Sequence, residues 1–304
     1  LFFIEIKIQQ KTEPPSEQIF ILKPKENMSF VSLHNKTDYS LLDSLSSVEA
    51  LFDKAKQLNQ NAIAITEHGC FASVWEAYNL SKTKNIKLIS GAEFYFKHDI
   101  KSEDEKFSHI LLLAKNQIGY KNLLILNKKG FDNNTFPVKN VHSIINWELL
   151  SNHSEGVICL TACGNGIISK LLMNRKPDEA ESCLLKLNNI FKENLYIEVQ
   201  ANNMKRFSTY FSDEIDQFFL NRQLINLGKK HNINIVATCN SHYVEKEDHD
   251  IHDGLLAIGS QQNIYSNFRL KYNVPEFYLK SEDEMISFFS RNYGQEFATK
   301  IVNN

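Results

Sequence analysis

Apolar residues along this chain alternate between two spacings. Ser47–Gln60 (SVEALFDKAKQLNQ) places Val48, Leu51, Phe52, Ala55 and Leu58 along one helical face. Ala62–Thr66 (AIAIT) then reads as a short apolar strand. Phe71–Ser81 returns to helical spacing, while Ile86–Ile89 and Phe94–Phe96 read as strands. Ile110–Ala114 predicts a buried strand and Gly119–Lys129 a helix. Val157–Leu160 predicts a strand, followed by helices over Ile167–Met173 and Asp178–Phe191. Tyr196–Gln200 predicts a strand, Asp213–His231 a long helix and Ile233–Thr238 a last strand. Strands alternating with helices predict parallel strands joined by crossover helices. About six or seven such units suit a closed α/β barrel better than an open sheet.

Candidate chemistry recurs at the strand ends. AIAIT ends in Glu67-His68, and His109 stands before ILLLA. VICL runs into Thr161-Ala162-Cys163, and INIVAT runs into Cys239-Asn240-Ser241-His242. Glu93 and His34 lie in two further strand regions. Side chains at one rim of a β/α barrel converge on a central site. Imidazole, thiolate and carboxylate converging there would suit a transition metal. Taken singly, each residue has a plainer reading: a histidine at a strand end is often a hydrogen-bonded structural group, and a buried cysteine acts as a small hydrophobe. Spacing alone leaves both readings open.

Composition narrows the classes. The 304 residues are 42% hydrophobic and 23% charged, with a net charge of −2. That is an ordinary globular balance and not the charge of a nucleic-acid-coating protein. Only five of the 34 basic residues are Arg, the side chain that grips phosphates through two parallel bonds. Five cysteines without CxxC spacing argue against a disulfide framework and predict a reducing, cytoplasmic setting. No apolar run approaches the ~18 residues of a membrane span, so no membrane association is expected. The opening LFFIEIKIQQKTEPPSEQ lacks a basic start and a long apolar core, and residues 1–27 read as an amino-terminal extension. The basic residues between Lys121 and Lys139, interleaved with Phe131 and Phe136, read as a solvated loop rather than a DNA contact. Tyr39, Tyr95, Tyr120 and Tyr243 are expected to pack beside the site.

Longer strings carry a family resemblance. FVSLHNKTDYSLLD (residues 30–43), AITEHG (64–69), ISGAEFYF (89–96) and SHILLLAKNQIGYKNL (108–123) resemble segments of the amino-terminal PHP (polymerase and histidinol phosphatase) domain of bacterial, C-family DNA polymerase III alpha subunits. So do GVICLTACG (156–164) and IVATCNSHYV (235–244). HDGLLAI (252–258) and EFYLKSEDEM (276–285) are similar to strings of the polymerase branch rather than of free-standing PHP phosphatases. The resemblance spans roughly residues 29–285. It implies a distorted β/α barrel of about seven strands, a PHP domain over 28–285, and the start of a linker or polymerase region over 286–304.

The resemblance also implies a metal site. Its ligands would be His34, Asp43, His68, Glu93, His109, Cys163 and His242, with Glu67 supporting them from behind. Two positions depart from the family pattern: Lys36 replaces a histidine and Asn240 an aspartate. An ammonium has no lone pair to donate, though its charge could stand in for a lost cation. Asn keeps a carbonyl oxygen but loses the negative charge. The expectation is one or two divalent cations, or none, drawn from zinc, manganese or magnesium, and weak phosphoesterase activity at most. The implied parent is a DNA-directed DNA polymerase whose palm lies downstream, so this segment alone should not polymerise DNA. Its expected partners are the rest of the alpha subunit, a proofreading exonuclease subunit and, through the parent, primer-template DNA. The alternatives are a free-standing PHP phosphoesterase or 3′–5′ exonuclease, which a metal-dependent hydrolysis assay would reveal, and a metal-free scaffold.

Overall fold

The structure is a computed structural model describing residues 30–304 apart from 103, 133–141, 208–213 and 267–268. The extension 1–27, Asp213, Phe136 and Lys139 lie outside the described residues. Helix α1 (Val48–Gln57) precedes β1 (Ala62–His68), and α2 (Val74–Lys84) precedes β2 (Lys87–Phe96). Strand β3 (Ser108–Ala114) follows directly. Then come α3 (Gln117–Asp132), the two-residue β4 (Ile144–Ile145), α4 (Trp147–Asn152) and β5 (Val157–Leu160). Helices α5 (Ile167–Met173) and α6 (Pro177–Phe191) lead to β6 (Leu195–Gln200). A ribbon of β7 (Lys205–Phe207) and β8 (Glu214–Asp216), then α7 (Gln217–His231), separate β6 from β9 (Asn234–Thr238). Helices α8 (His249–Gly259), α9 (Glu282–Tyr293) and α10 (Gln295–Val302) complete the order.

The helices start where the sequence offers a side-chain oxygen. Ser47 accepts from Ala50 N at α1, Asn146 from Leu149 N at α4 and Asp216 from Phe219 N at α7. Ser281 and Glu284 close a reciprocal capping box on α9. The apolar runs Ile86–Ile89 and Phe94–Phe96 prove to be the two ends of the single strand β2.

The large sheet follows the order β1-β2-β3-β5-β6-β9, with β4 paired beside β2. Its strands are not all parallel, contrary to the expectation from βα alternation. Strand β3 runs antiparallel to both β2 and β5. The physical reason is the connection: among the described residues no helix lies between β2 and β3 to carry the chain back across the sheet, so it reverses. The remaining main pairs, β1–β2, β5–β6 and β6–β9, are parallel.

An extended segment closes the barrel. Ser32 O and Asn35 O accept from Ala64 N and Thr66 N of β1 at 3.0 and 2.9 Å. On its other side, Lys36 N donates to Ser241 O and Ser241 N to His34 O, both at 3.0 Å. The segment thus lies between β1 and the end of β9, and the expected distorted β/α barrel is found.

Alternation along the strands separates two apolar populations. Ile63 and Ile65 pack with Val48, Leu51 and Ala77 of α1 and α2. Ile110 and Leu112 join the main cluster with Leu123, Leu126 and Leu187 of the covering helices. Ala64, Leu111, Leu113, Leu160 and Val236, the alternate positions, form a cluster of their own inside the barrel. Continuing that inner face towards one rim gives Thr66, His68, Glu93, His109, Glu198 and Thr238. An apolar floor and a polar rim therefore follow from one period of two. Met285 and Phe289 of α9 and Ala298, Ile301 and Val302 of α10 belong to the main cluster. Among the described residues, no helix is long and apolar enough to cross a membrane.

Gly119 near the start of α3 lies against the turn before β5. A Cβ there would sit 1.7 Å from Gly156 O. Gly119→Ala should therefore cost about 3 kcal/mol, the upper end for overpacking, measured as a shift in the urea unfolding midpoint.

Candidate metal centre

One rim of the barrel gathers every residue singled out as a ligand. His34 and Lys36 are two apart on the closing segment, so both side chains point the same way. His68 ends β1 and lies opposite Glu93 of β2 in register. His109 reaches the same rim from the beginning of β3 because that strand runs backwards, placing it beside Tyr95 of β2. Cys163 follows β5, and the bridge between His109 and Gly166 keeps its turn against β3. Asn240 and His242 follow β9. Three turns that present these groups contain left-handed residues: Leu42 (φ 61°), Ala162 (φ 64°) and Asn240 (φ 53°). A non-glycine residue adopts that conformation at some cost, and such residues gather where the fold aims functional groups.

Two trios have atoms close enough to share a cation. Asp43, His68 and His242 form one, and His68, Glu93 and His109 the other. His68 Nε2 lies 3.1 Å from Asp43 Oδ2, and His242 Nε2 lies 3.5 Å from the same oxygen. His109 Nδ1 lies 3.0 Å from Glu93 Oε1. Cys163 Sγ is 3.3 Å from that oxygen and adds a fourth candidate ligand to the second trio. His242 Nδ1 can only donate to its partner, the Asn240 backbone carbonyl at 2.9 Å. That fixes the proton on Nδ1 and leaves the Nε2 lone pair facing Asp43, the tautomer a metal needs. Burial pushes His242 down to about 3, so its imidazole is neutral. Burial opposes ionisation of Asp43, but the hydrogen bond from His68 and the charge of the Lys36 ammonium outweigh it and hold the carboxyl well below the usual range. His68 Nδ1 is buried without a hydrogen-bond partner, as an open ligand atom would be. Both trios fit divalent cations.

A third position is filled differently. Lys36 Nζ lies 2.7 Å from Glu93 Oε2, 3.0 Å from His34 Nε2 and 3.2 Å from Asn240 Oδ1. Burial works against this ammonium, yet Glu93 and Asp43 outweigh it and raise its proton affinity. Glu198 and Glu93 also favour a protonated His34, but an ammonium 3.0 Å from Nε2 offers no lone pair and forbids a second proton there; the short contact decides. His34 is thus neutral, with Nδ1 donating to Glu198 Oε1 at 2.7 Å. Lys36 sits where a carboxylate, an imidazole lone pair and a carbonyl oxygen converge, which is a cation position already holding a positive charge.

The PHP domain profile matches residues 32–202. The chain belongs to the PHP family. This PHP domain is 35% identical over 269 residues to DNA polymerase III subunit alpha of Treponema pallidum, and 33% over 267 residues to that of Borreliella burgdorferi. It is 30% identical over 279 residues to DNA polymerase III subunit alpha of Helicobacter pylori. The first two matches cover 86% of this chain and the third 88%, but each covers only 22% of the relative's length. The chain is homologous to the amino-terminal region of those polymerases.

Several residues of this PHP domain differ from expectation or escaped it. Glu67, expected to support the ligands from behind, lies off the inner face of β1 and anchors the loop before Asp43. It accepts from Thr37 N at 3.1 Å, from Ser73 Oγ at 2.7 Å and from the Thr37 and Ser40 hydroxyls. Of the four tyrosines, Tyr243 is fully buried, Tyr95 stacks on His68 and Tyr120 meets Phe71 edge-on. Tyr39 does not pack beside the site; it is 41% exposed and donates to Glu76, because its turn bulges into solvent. Glu198 was missed. It is fully buried and bound by His34, Thr238 and Gln200, so it orients His34. The available signal was a lone carboxylate in the otherwise apolar run LYIEV. His252 was missed as well.

Proposed function

We propose that this PHP domain is the amino-terminal part of a DNA polymerase III alpha subunit and that its barrel rim holds two divalent cations, with Lys36 serving as a tethered third charge. The observation that carries the metal count is the placement of the Lys36 ammonium among Glu93, His34 and Asn240, with two ligand trios left intact beside it. Asp43, His68 and His242 would hold one cation; Glu93, His109, Cys163 and His68 would hold the other. His68 is within reach of both, but as a neutral imidazole with one lone pair it would serve one of them at a time. Zinc or manganese suits this mixture of imidazole, thiolate and carboxylate better than magnesium. Bound divalent cations activate water and neutralise charge on phosphoryl oxygens.

The residues themselves set a modest hydrolytic capacity. His242 and His34 are fixed as neutral imidazoles, Glu93 is ionised beside the Lys36 ammonium, and Lys36 supplies a charge that cannot open a coordination position. We assign the domain a mainly supporting role in the parent polymerase, with the rest of the alpha subunit and a proofreading exonuclease subunit as partners and primer-template DNA reached through the parent. The resemblance of the tail strings and the relatives' names support this reading. Metal analysis of protein purified without chelator should give about two equivalents per chain. Hydrolysis of a p-nitrophenyl phosphate ester should be weak and lost with EDTA. Three tightly held equivalents, or none, would refute the two-cation reading.

A further inference from the structure

We infer that His252 of α8 is a positioning residue for Asp43, and through it for the cation position of Asp43, His68 and His242. The inference rests on the metal-binding reading above. Helix α8 lies beyond residues 32–202, the stretch that the PHP profile matches. His252 is fully buried, and its Nε2 lies 2.8 Å from the backbone carbonyl of Asp43. A carbonyl only accepts, so Nε2 carries the proton. Nδ1 is buried without a hydrogen-bond partner, so a second proton there would be left unsatisfied. The ring also packs against the ligand His242 at 5.6 Å between centroids, against Tyr243 at 5.2 Å and against Tyr272 at 5.5 Å. One side chain therefore touches two members of the trio.

The same helix meets the Asp43 turn a second time. A Cβ on Gly259, at the end of α8, would come within 3.1 Å of both Cβ and O of Leu42. Leu42 holds a left-handed conformation, φ 61°, immediately before the ligand. The turn is pinned on its far side, where Ser44 Oγ and Leu45 N both donate to the His242 carbonyl at 2.8 and 2.9 Å. His252 pins Asp43 itself. Helix α8 is held in turn by Arg269, which grips Asp253 through both guanidinium nitrogens at 2.7 and 2.5 Å and donates to Ile264 O. The position of Asp43 thus follows the position of α8.

Cobalt(II) titrated into the full chain separates the two cation positions. Cys163 gives a thiolate-to-cobalt absorption band from its own position, while equilibrium dialysis counts total bound cobalt. His252→Ala should weaken one of two equivalents by about 10- to 100-fold, the usual effect of removing a group that orients a ligand, and leave the thiolate band unchanged. His252→Gln, whose amide N–H can still donate to the Asp43 carbonyl, should restore binding to within a few-fold. Gly259→Ala removes no hydrogen bond and favours the helix, so it should fold; it should weaken the same equivalent. Wild-type affinity for both equivalents in His252→Ala and Gly259→Ala would overturn the inference and leave the metal reading standing. Loss of both equivalents with the thiolate band would also overturn it, in favour of a general structural role. A wild-type chain that binds no cobalt would overturn the metal reading and this inference together.

Discussion

Lys36→Met should cost the metal-free domain about 3–5 kcal/mol, the typical penalty for stranding one partner of a buried ion pair. Lys36 and Glu93 are each 1% exposed and 2.7 Å apart. Methionine fills most of the space but removes the charge, leaving an ionised Glu93 among groups arranged for a cation. The remaining neighbours respond only in part. Burial keeps His109 from charging; His34, whose proton Glu198 and Glu93 favour, can charge once the ammonium is gone, but its Nε2 lies 3.4 Å from Glu93 Oε2 where the ammonium lay at 2.7 Å. Urea unfolding in EDTA measures the effect. A loss below about 1 kcal/mol would show that Glu93 is compensated without Lys36, because a single unpaired buried charge costs more than that. Lys36→Arg is no conservative rescue: the planar fork is wider than the ammonium and has to fit the same enclosed position.

The double change Lys36→His with Asn240→Asp should raise the bound metal from about two to about three equivalents per chain. Each single change should fail. Asn240→Asp alone places a carboxylate beside the Lys36 ammonium, 3.2 Å away, and strengthens the ion pair that fills the position. Lys36→His alone removes the ammonium and adds a lone pair but leaves only Glu93 as a nearby negative ligand. Together they supply two imidazoles, Glu93 and a second carboxylate, a donor set suited to zinc or manganese. Such dependence of one substitution on another is expected for groups in direct contact. Metal analysis after gel filtration reads the stoichiometry directly. A third equivalent in either single variant, or none in the double variant, would show that Lys36 does not stand in a cation position.

Much of the architecture was legible locally. The apolar runs marked each long strand of the barrel because both sheet faces are buried, one under helices and one on the interior floor. Helix ends were less legible: Ser47, Asn146, Asp216 and Ser281 cap within their own chain neighbourhood, yet the periodicity did not predict α4 or α9, and α7 begins at Gln217 after a strand the sequence read as helix. Strand direction was not legible. Nothing in SHILLLA records that β3 points the opposite way; the absence of a crossover helix before it was the available clue. The ribbon of β7 and β8 is too short for any periodicity to register, each strand having 3 residues.

For the candidate site, the sequence by itself determined which residues could act: His34, Asp43, His68, Glu93, His109, Cys163 and His242 with lone pairs to offer, and Lys36 and Asn240 as the two departures. Asp43 and the two departures were legible only through the family resemblance; the others are side chains at strand ends, readable one residue at a time. Only the tertiary structure decided what the departures mean. Lys36 could have pointed outward and left a gap, yet barrel closure lays it between Glu93 and Asn240, 57 and 204 positions away along the chain. Glu198 behind His34 and His252 behind Asp43 are set by the same closure, across separations of 164 and 209 residues. Local patterns fix the direction of a side chain relative to its own strand or helix. Which strangers meet there depends on the register and direction of every strand between them.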